Sequence, residues 1–241
     1  MNKHLVMLYG VVSYLLFFII FLYLIAFVGN FIVPKTIDSG EVGSLVPSII
    51  INVILLLIFA IQHSVMARPA FKSWLTKYIP VSIERSTYVM FTNIALVLIF
   101  VFWQPMPELI WNVESSIGSL ILNGIFWLGW IIVLLSTFMI NHFDLFGLRQ
   151  VYINFRGQEY SHLEFRTVGL YKLCRHPIML GIVIAIWATP AMSTGHLLFA
   201  VVLTMYIYIA LQFEERDLVT FFGETYKQYQ AKVPMLFPFK W

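Results

Sequence analysis

The feature that most constrains this chain is a succession of apolar runs, each too long for an ordinary core helix or too frequent for a soluble domain. Leu5 to Val33 carries no Asp, Glu, Lys or Arg, and neither do Leu45–Met66, Tyr88–Trp103, Gly118–Ile140, Ile178–Met192 and Leu197–Phe213. A hydrocarbon layer about 30 Å thick takes about 20 residues of helix to cross, and a helix closes its backbone hydrogen bonds within the segment, as hydrocarbon demands. The runs therefore predict an all-α, polytopic transmembrane helix bundle of five or six spans. The number stays open because Ile178–Met192 has only fifteen residues; with Leu197–Phe213 it forms either two separate spans or a partly re-entrant hairpin. The first run is too long for a signal-peptide core and lacks a small-residue cleavage site, so it reads as a retained span.

Composition agrees: only 11% of residues are charged, against about 25% in soluble domains. With 241 residues mostly committed to spans, residues 1–241 form a single integral-membrane domain. The net charge of +3 sits in the loops and signals topology, not a nucleic-acid footprint. In chain order the N-terminus, the five loops and the tail hold one, one, four, zero, five, zero and four Lys or Arg residues. The positive-inside rule places the N-terminus, the second and fourth loops and the tail on the cytoplasmic side. The lone Cys174 excludes an internal disulfide and any CxxC motif, and reads as a small packing residue.

Two polar clusters thus share one membrane surface. In the first, Gly169-Leu170-Tyr171-Lys172-Leu173-Cys174-Arg175-His176-Pro177 runs directly into an apolar helix. Proline suits the first turn of a helix, so the free N–H groups and positive dipole end of that helix face Tyr171, Arg175 and His176, a setting for an anionic group. In the second, Glu214-Glu215-Arg216-Asp217 follows the last apolar run and offers carboxylates suited to ribose hydroxyls. His63 lies near the end of the second span beside Gln62, where an ionisable group is costly and marks function. Asn141-His142-Phe143-Asp144-Leu145-Phe146-Gly147-Leu148-Arg149-Gln150 leaves the fourth span with acid, base and amide groups among aromatics, either as an interfacial exit or as the wall of a substrate pocket. His142, His162, His176 and His196 share no metal-ligand spacing, so no metal is expected. Phosphate loops, nucleophile elbows and dinucleotide fingerprints are absent, which excludes soluble-type dehydrogenases, hydrolases and kinases. A transporter would carry its polar groups through the membrane, whereas these gather at one surface.

Arg175-His176-Pro177, followed by Glu214-Glu215-x-x-Leu218-x-x-x-Phe222-Gly223-x-x-Tyr226-x-x-Tyr229-x-x-x-Val233-Pro234-x-x-x-Pro238, resembles the membrane methyltransferases typified by isoprenylcysteine carboxyl methyltransferase. The core motif region is 169–238. Gln62-His63-Ser64, Glu84-Arg85-Ser86-Thr87-Tyr88, Trp103-Gln104-Pro105 and His142 to Gln150 are similar to the bacterial methanethiol S-methyltransferases within that superfamily; the first of these is also similar to NnrU-like proteins. The resemblance implies a multi-pass protein of the bacterial inner membrane, with both termini cytoplasmic and S-adenosylmethionine bound at the cytoplasmic surface. The matching cofactor positions are Tyr171, His176, Pro177, Ile178, Met179 and Glu214, with Arg175, Glu215 and Tyr226 beside them. Met179 stands where the prenylcysteine enzymes usually have tyrosine, and Ala210 where they have an arginine facing the substrate carboxylate.

The expected reaction is methyl transfer to the sulfur of a small thiol such as methanethiol. His142 with Asp144, or alternatively His63, would take the thiol proton, Arg149 would favour the thiolate, and Phe143, Phe146, Gln150 and Ala210 would line the acceptor pocket. The alternatives are a lipid or isoprenoid acceptor on the same fold, or a non-enzymatic NnrU-like protein. Besides the bilayer and the thiol, no obligate protein partner is expected.

Overall fold

The apolar runs become helices where the hydrocarbon argument places them. The computed structural model describes residues 2–161 and 163–238, so His162 lies outside the described residues. In chain order the helices are α1 (Lys3–Val28), α2 (Leu45–Ala67), α3 (Pro69–Leu75), α4 (Val81–Phe102), α5 (Ser116–Ile140), α6 (His142–Leu145), α7 (Leu148–Phe155), α8 (Pro177–Trp187), α9 (Thr194–Phe222) and α10 (Glu224–Lys232). A 3-10 turn covers Gly169–Lys172, and two short strands, β1 (Leu109–Asn112) and β2 (Ala191–Ser193), pair antiparallel. Five helices, α1, α2, α4, α5 and α9, are long and apolar enough to cross a membrane. The protein is an all-α multi-pass membrane bundle whose core joins Phe27, Leu56, Ile99, Trp103, Ile186 and Phe199.

The third span starts seven residues before the expected Tyr88. Val81 to Thr87 is polar enough to read as loop, yet it is helical because Ile83 and Ser86 are buried there and Ile83 packs with Val6 and Val151. The loop after α4 also departs from expectation, since β1 pairs with β2 and ties the outer ends of two connections together.

The short fifth run is resolved by length. His176 contacts Glu215, and Ser193 caps the start of α9. Between those two levels α9 rises about 32 Å at 1.5 Å per residue, close to the thickness of a hydrocarbon core. The segment from Pro177 to Ser193 covers the same distance with only 11 helical residues, completing it in extended form. It is a sixth traverse, helical over Pro177–Trp187 and strand over Ala191–Ser193. Ending a helix inside the bundle leaves carbonyls to satisfy. The His196 ring meets the Ile186 carbonyl at 2.8 Å, the Trp111 indole donates to the Thr189 carbonyl at 3.2 Å, and the Trp187 indole donates to Thr204 Oγ1 at 2.9 Å. The helical half lies hard against α5. A Cβ at Gly181 would sit 2.6 Å from the Gly129 carbonyl oxygen, so glycine is what permits the approach.

Candidate functional site

The two polar clusters meet because α9 continues as helix beyond its apolar part and carries Glu214 and Glu215 past the last turn of hydrocarbon. Pro177 opens α8 as the sequence predicts, and the backbone N–H groups of Arg175 and His176 donate to the carbonyls of Pro234 and Met235 at 2.9 and 3.1 Å. The tail therefore runs alongside the Arg-His pair and closes over it.

Glu215 is the centre of that closure. Its Oε1 accepts from Arg175 Nε at 2.8 Å, His176 Nε2 at 2.6 Å and the Tyr226 hydroxyl at 2.8 Å, and its Oε2 accepts from Gln230 Nε2 at 2.5 Å. A carboxylate accepts only, so the His176 nitrogen donates. Arg175 spends further N–H groups on the carbonyls of Gln230 and Val233 at 3.2 and 2.5 Å. Arg175, His176, Glu215 and Tyr226 thus bond to one another, tying the start of α8, the end of α9 and α10 together. His176 and Glu215 are each only 7% exposed. Tyr229 joins the same shell by donating to the Tyr171 carbonyl at 2.5 Å. Burial pushes the phenols of Tyr171 and Tyr226 up, and that of Tyr229 up to about 12, so all three stay protonated donors at neutral pH.

Glu214, one residue earlier, has a different setting. Its side chain is 44% exposed, His176 Nδ1 lies 4.0 Å away, and its carboxylate accepts no hydrogen bond among the described residues. Four tyrosines, Tyr88, Tyr171, Tyr206 and Tyr226, feel its charge. The first turn of α8, where Ile178 and Met179 sit half-buried, has no side-chain cap. An open carboxylate, an uncapped helix N-terminus and ring donors fit a ligand carrying hydroxyls, a carboxylate and a cation. S-adenosylmethionine is such a ligand. Tyr206, half-buried Ala210 and Glu214 follow at intervals of four on α9 and so share one face.

That face looks onto the end of α2. Ser64 Oγ donates to the Tyr206 hydroxyl at 3.2 Å, and Arg68 pairs with Asp217 at 2.8 Å. His63 lies next in line, its Nε2 2.8 Å from the Tyr88 hydroxyl, its Nδ1 3.3 Å from Thr92 Oγ1, and its ring stacked on Phe59. Tyr88 and Tyr206 are the site residues that sequence reasoning passed over. Tyr88 ends a stretch already singled out, and the four-residue spacing of Tyr206 to Ala210 and Glu214 was the available signal for the other.

The α6–α7 corner does not assemble as expected. His142 is buried with both ring nitrogens engaged, Nε2 by the Tyr14 hydroxyl and Nδ1 by Thr137 Oγ1, each at 2.9 Å, and burial lowers its pKa. Asp144 meets Arg149 Nη1 at 2.8 Å and the Tyr160 hydroxyl at 3.1 Å, so the structure does not join it to His142. Gln150 donates to the Asp144 carbonyl at 3.0 Å and leaves its buried Oε1 without a hydrogen-bond partner. Gly147, at φ +86°, turns the chain so tightly that a Cβ would lie 2.7 Å from the Ser86 nitrogen. Phe146 stacks on Phe17 at 3.8 Å and packs with Met66 and Tyr88, which brings it towards His63. Phe143 is 48% exposed and lines, with Met7, Arg149 and Tyr152, a separate cavity of about 430 Å³. Arg85 links the two regions, donating to the Leu145 carbonyl at 2.8 Å with its guanidinium 5.1 Å from the Tyr88 ring centroid.

Comparison with known proteins identifies close relatives. A Methanethiol S-methyltransferase 2 of Bradyrhizobium diazoefficiens is 54% identical over 233 residues, covering 97% of this chain and 90% of that protein. A Methanethiol S-methyltransferase of Mycobacterium tuberculosis is 51% identical over 238 residues, covering 99% and 98%. Nurim of Sus scrofa is more distant, 30% identical over 172 residues, covering 68% and 65%. No family model matches the chain, and no solved structure matches it.

Proposed function

The chain belongs to the methanethiol S-methyltransferase family of membrane methyltransferases, and from that premise we propose that it transfers the methyl group of S-adenosylmethionine to methanethiol, releasing dimethyl sulfide. The site works at the cytoplasmic face of the bacterial inner membrane, with both termini on that side. The supporting observation is the open Glu214 carboxylate beside the uncapped start of α8, with Ala210 one turn along the same helix face.

Bound there, S-adenosylmethionine supplies an electrophilic methyl group on a sulfonium. Glu214 would accept hydrogen bonds from the ribose hydroxyls, and the first-turn N–H groups of α8 at Ile178 and Met179 would donate to the methionine carboxylate. Tyr171 would offer its ring to the cation, with Tyr226 holding Glu215 behind it. Arg175, His176 and Glu215 hold this wall in position through their mutual bonds. The attacking species is the thiolate, so the thiol must lose its proton. His63 is the base in this reading, since it adjoins Ser64, which donates to Tyr206 on the Glu214 face of α9, whereas His142 is bonded to Tyr14 and Thr137 at the α6–α7 corner. Tyr88, in contact with His63 and within electrostatic reach of Glu214, relays the proton by giving its own to His63 as it takes that of the thiol. The new carbon–sulfur bond forms as the old one breaks, leaving S-adenosylhomocysteine and a neutral thioether. Phe146 and Ala210 keep the acceptor side small and apolar. Arg149 and Phe143 face the separate cavity at the α6–α7 corner and, with Gln150, take no part in this reading.

Ala210 sets the acceptor class. A carboxylate-bearing substrate placed there meets a methyl group where it needs a cation, and burying an unpaired carboxylate costs several kcal/mol. Detergent-purified protein incubated with methyl-labelled S-adenosylmethionine should release labelled dimethyl sulfide from methanethiol and leave farnesylcysteine unlabelled. Ala210→Arg should slow thiol turnover by filling the pocket. Label in the farnesylcysteine methyl ester with none in dimethyl sulfide would overturn this assignment.

A further inference from the structure

At the opposite end of the bundle from Glu215 lies a cavity of about 390 Å³, between the end of α1, the first half of α5 and the turn before α9. Its lining includes Asn30, Phe31, Asp38, Asn123, Trp127 and Thr189, and Asp38 is the one Asp, Glu, Lys or Arg among the lining residues. The methyl-transfer chemistry uses none of them.

Asp38 is brought there by an unusual turn. After α1 the chain passes through Asn30 at φ +60° and Ile32 at φ +63°, a conformation that a β-branched residue rarely adopts. The folded-back loop is fastened by Ile37 N donating to the Phe27 carbonyl at 3.1 Å and by Thr36 donating to the Asn30 side-chain oxygen. Ser193 Oγ then donates to one Asp38 oxygen and Asn30 Nδ2 to the other at 3.2 Å. Two donors leave a carboxylate with acceptor capacity to spare. Among the described residues Asp38 has no ion-pair partner, because Lys35 points across the bundle to the Val101 carbonyl at 2.8 Å. Burial pushes the Asp38 carboxyl up, against the opposing pull of the Ser193 hydroxyl and of the His196 ring, which also lines the cavity.

The rest of the cavity narrows the choice of ligand. With no Lys or Arg in its lining it does not suit an anion. Among the described residues no three His, Cys, Asp or Glu side chains gather as metal ligands would. The rings of Phe31 and Trp127 stand with centroids 5.7 Å apart, and Phe31 is edge-on to Phe126. One carboxylate with aromatic walls is the chemistry that recognises an organic cation. On the same helix as the lining residues Asn123 and Trp127, α5 leaves Leu120, Ile121 and Leu128 exposed.

We propose that this cavity binds an organic ammonium group, with Asp38 as counter-ion and the rings of Phe31 and Trp127 as walls. The group comes either from the headgroup of an amine-bearing lipid, whose chains would lie along α5, or from a free small amine. The test is calorimetric titration of the detergent-purified full chain with short-chain phosphatidylethanolamine, short-chain phosphatidylglycerol and ethanolamine. Phosphatidylethanolamine should saturate one site per chain and phosphatidylglycerol should not. Asp38→Asn and Asn123→Phe, the second filling the cavity from α5 without changing Asp38, should each weaken binding about tenfold or more, the usual effect of losing a charged contact. Both variants are first checked by thermal melting, and Asn123→Phe carries the test if Asp38→Asn does not fold. Ethanolamine binding as tightly as the lipid identifies a free-amine site, and much weaker binding identifies a headgroup site. Equal binding of the two lipids, or binding that survives both substitutions, would overturn the proposal.

Discussion

Glu214 and Glu215 are neighbours in the chain, yet successive side chains on a helix point about 100° apart, and that rotation separates their fates. Glu215 turns inward to Arg175, His176, Tyr226 and Gln230, while the Glu214 side chain stays 44% exposed, 4.0 Å from His176 Nδ1. Removing one partner of a buried, hydrogen-bonded ion pair costs about 3–5 kcal/mol because the other charge is left unpaired. Glu215→Ala should therefore lower the melting temperature sharply, and loss of activity should follow loss of structure. Glu214→Ala should leave stability within about 0.5 kcal/mol, as for most exposed substitutions. It should instead weaken S-adenosylmethionine binding roughly ten- to a hundredfold, the usual cost of losing a hydrogen bond to a charged group. Thermal melting and a binding isotherm on both variants separate the two roles. A Glu214→Ala protein that binds the cofactor normally would remove that residue from the site.

The element on which the site depends is α8. It is too short to cross alone, and its start carries His176 and Pro177 while its far end relies on His196 to satisfy the Ile186 carbonyl. Its position along α5 is set by the Gly129–Gly181 contact, where backbone meets backbone. Gly181→Val inserts a branched side chain where even a Cβ would lie 2.6 Å from the Gly129 oxygen. Overpacking of this kind typically costs about 1–3 kcal/mol and moves backbone. The expected result is a lower melting temperature together with a raised KM for S-adenosylmethionine, because the shift displaces the first turn of α8. Gly124→Ala on α5, where a Cβ would meet nothing within 4 Å, is the control and should behave as the parent.

Six traverses put the Arg175–Glu215 closure and the basic loops at one end, and β1, β2 and the Asp38 cavity at the other. The loops around β1 and β2 hold Glu108 and Glu114 but no Lys or Arg, so the positive-inside rule predicts that end to lie outside the cytoplasm. The single native thiol helps the test. Cys174 is 1% exposed, and burial pushes its pKa up, which keeps it protonated and unreactive near neutral pH. In intact cells an impermeant maleimide should label Glu114→Cys and spare Lys227→Cys, with the parent protein unlabelled. A C-terminal reporter active outside the cytoplasm would invert the bundle and deny the Glu214 site a cytosolic methyl donor.

The positions and approximate limits of the long helices were legible in the chain, though not whether the short run made a further crossing, because hydrocarbon imposes a local rule: each apolar run must close its own hydrogen bonds. The meeting of the two polar clusters was legible too, from Arg175-His176-Pro177 and Glu214-Glu215 at the ends of neighbouring runs. What the runs did not carry is any preference among polar partners distant in sequence. His142 lies two residues from Asp144 but bonds to Tyr14, 128 residues away, and Asp144 turns to Arg149 instead. Val81 to Thr87 is polar by composition and helical by packing, and a fifteen-residue run crosses because a two-stranded pairing and a histidine from α9 take over where its helix stops. Such outcomes depend on how helices rotate and dock against one another. That is settled by side-chain fit and hydrogen-bond satisfaction in three dimensions, which no spacing along the chain encodes.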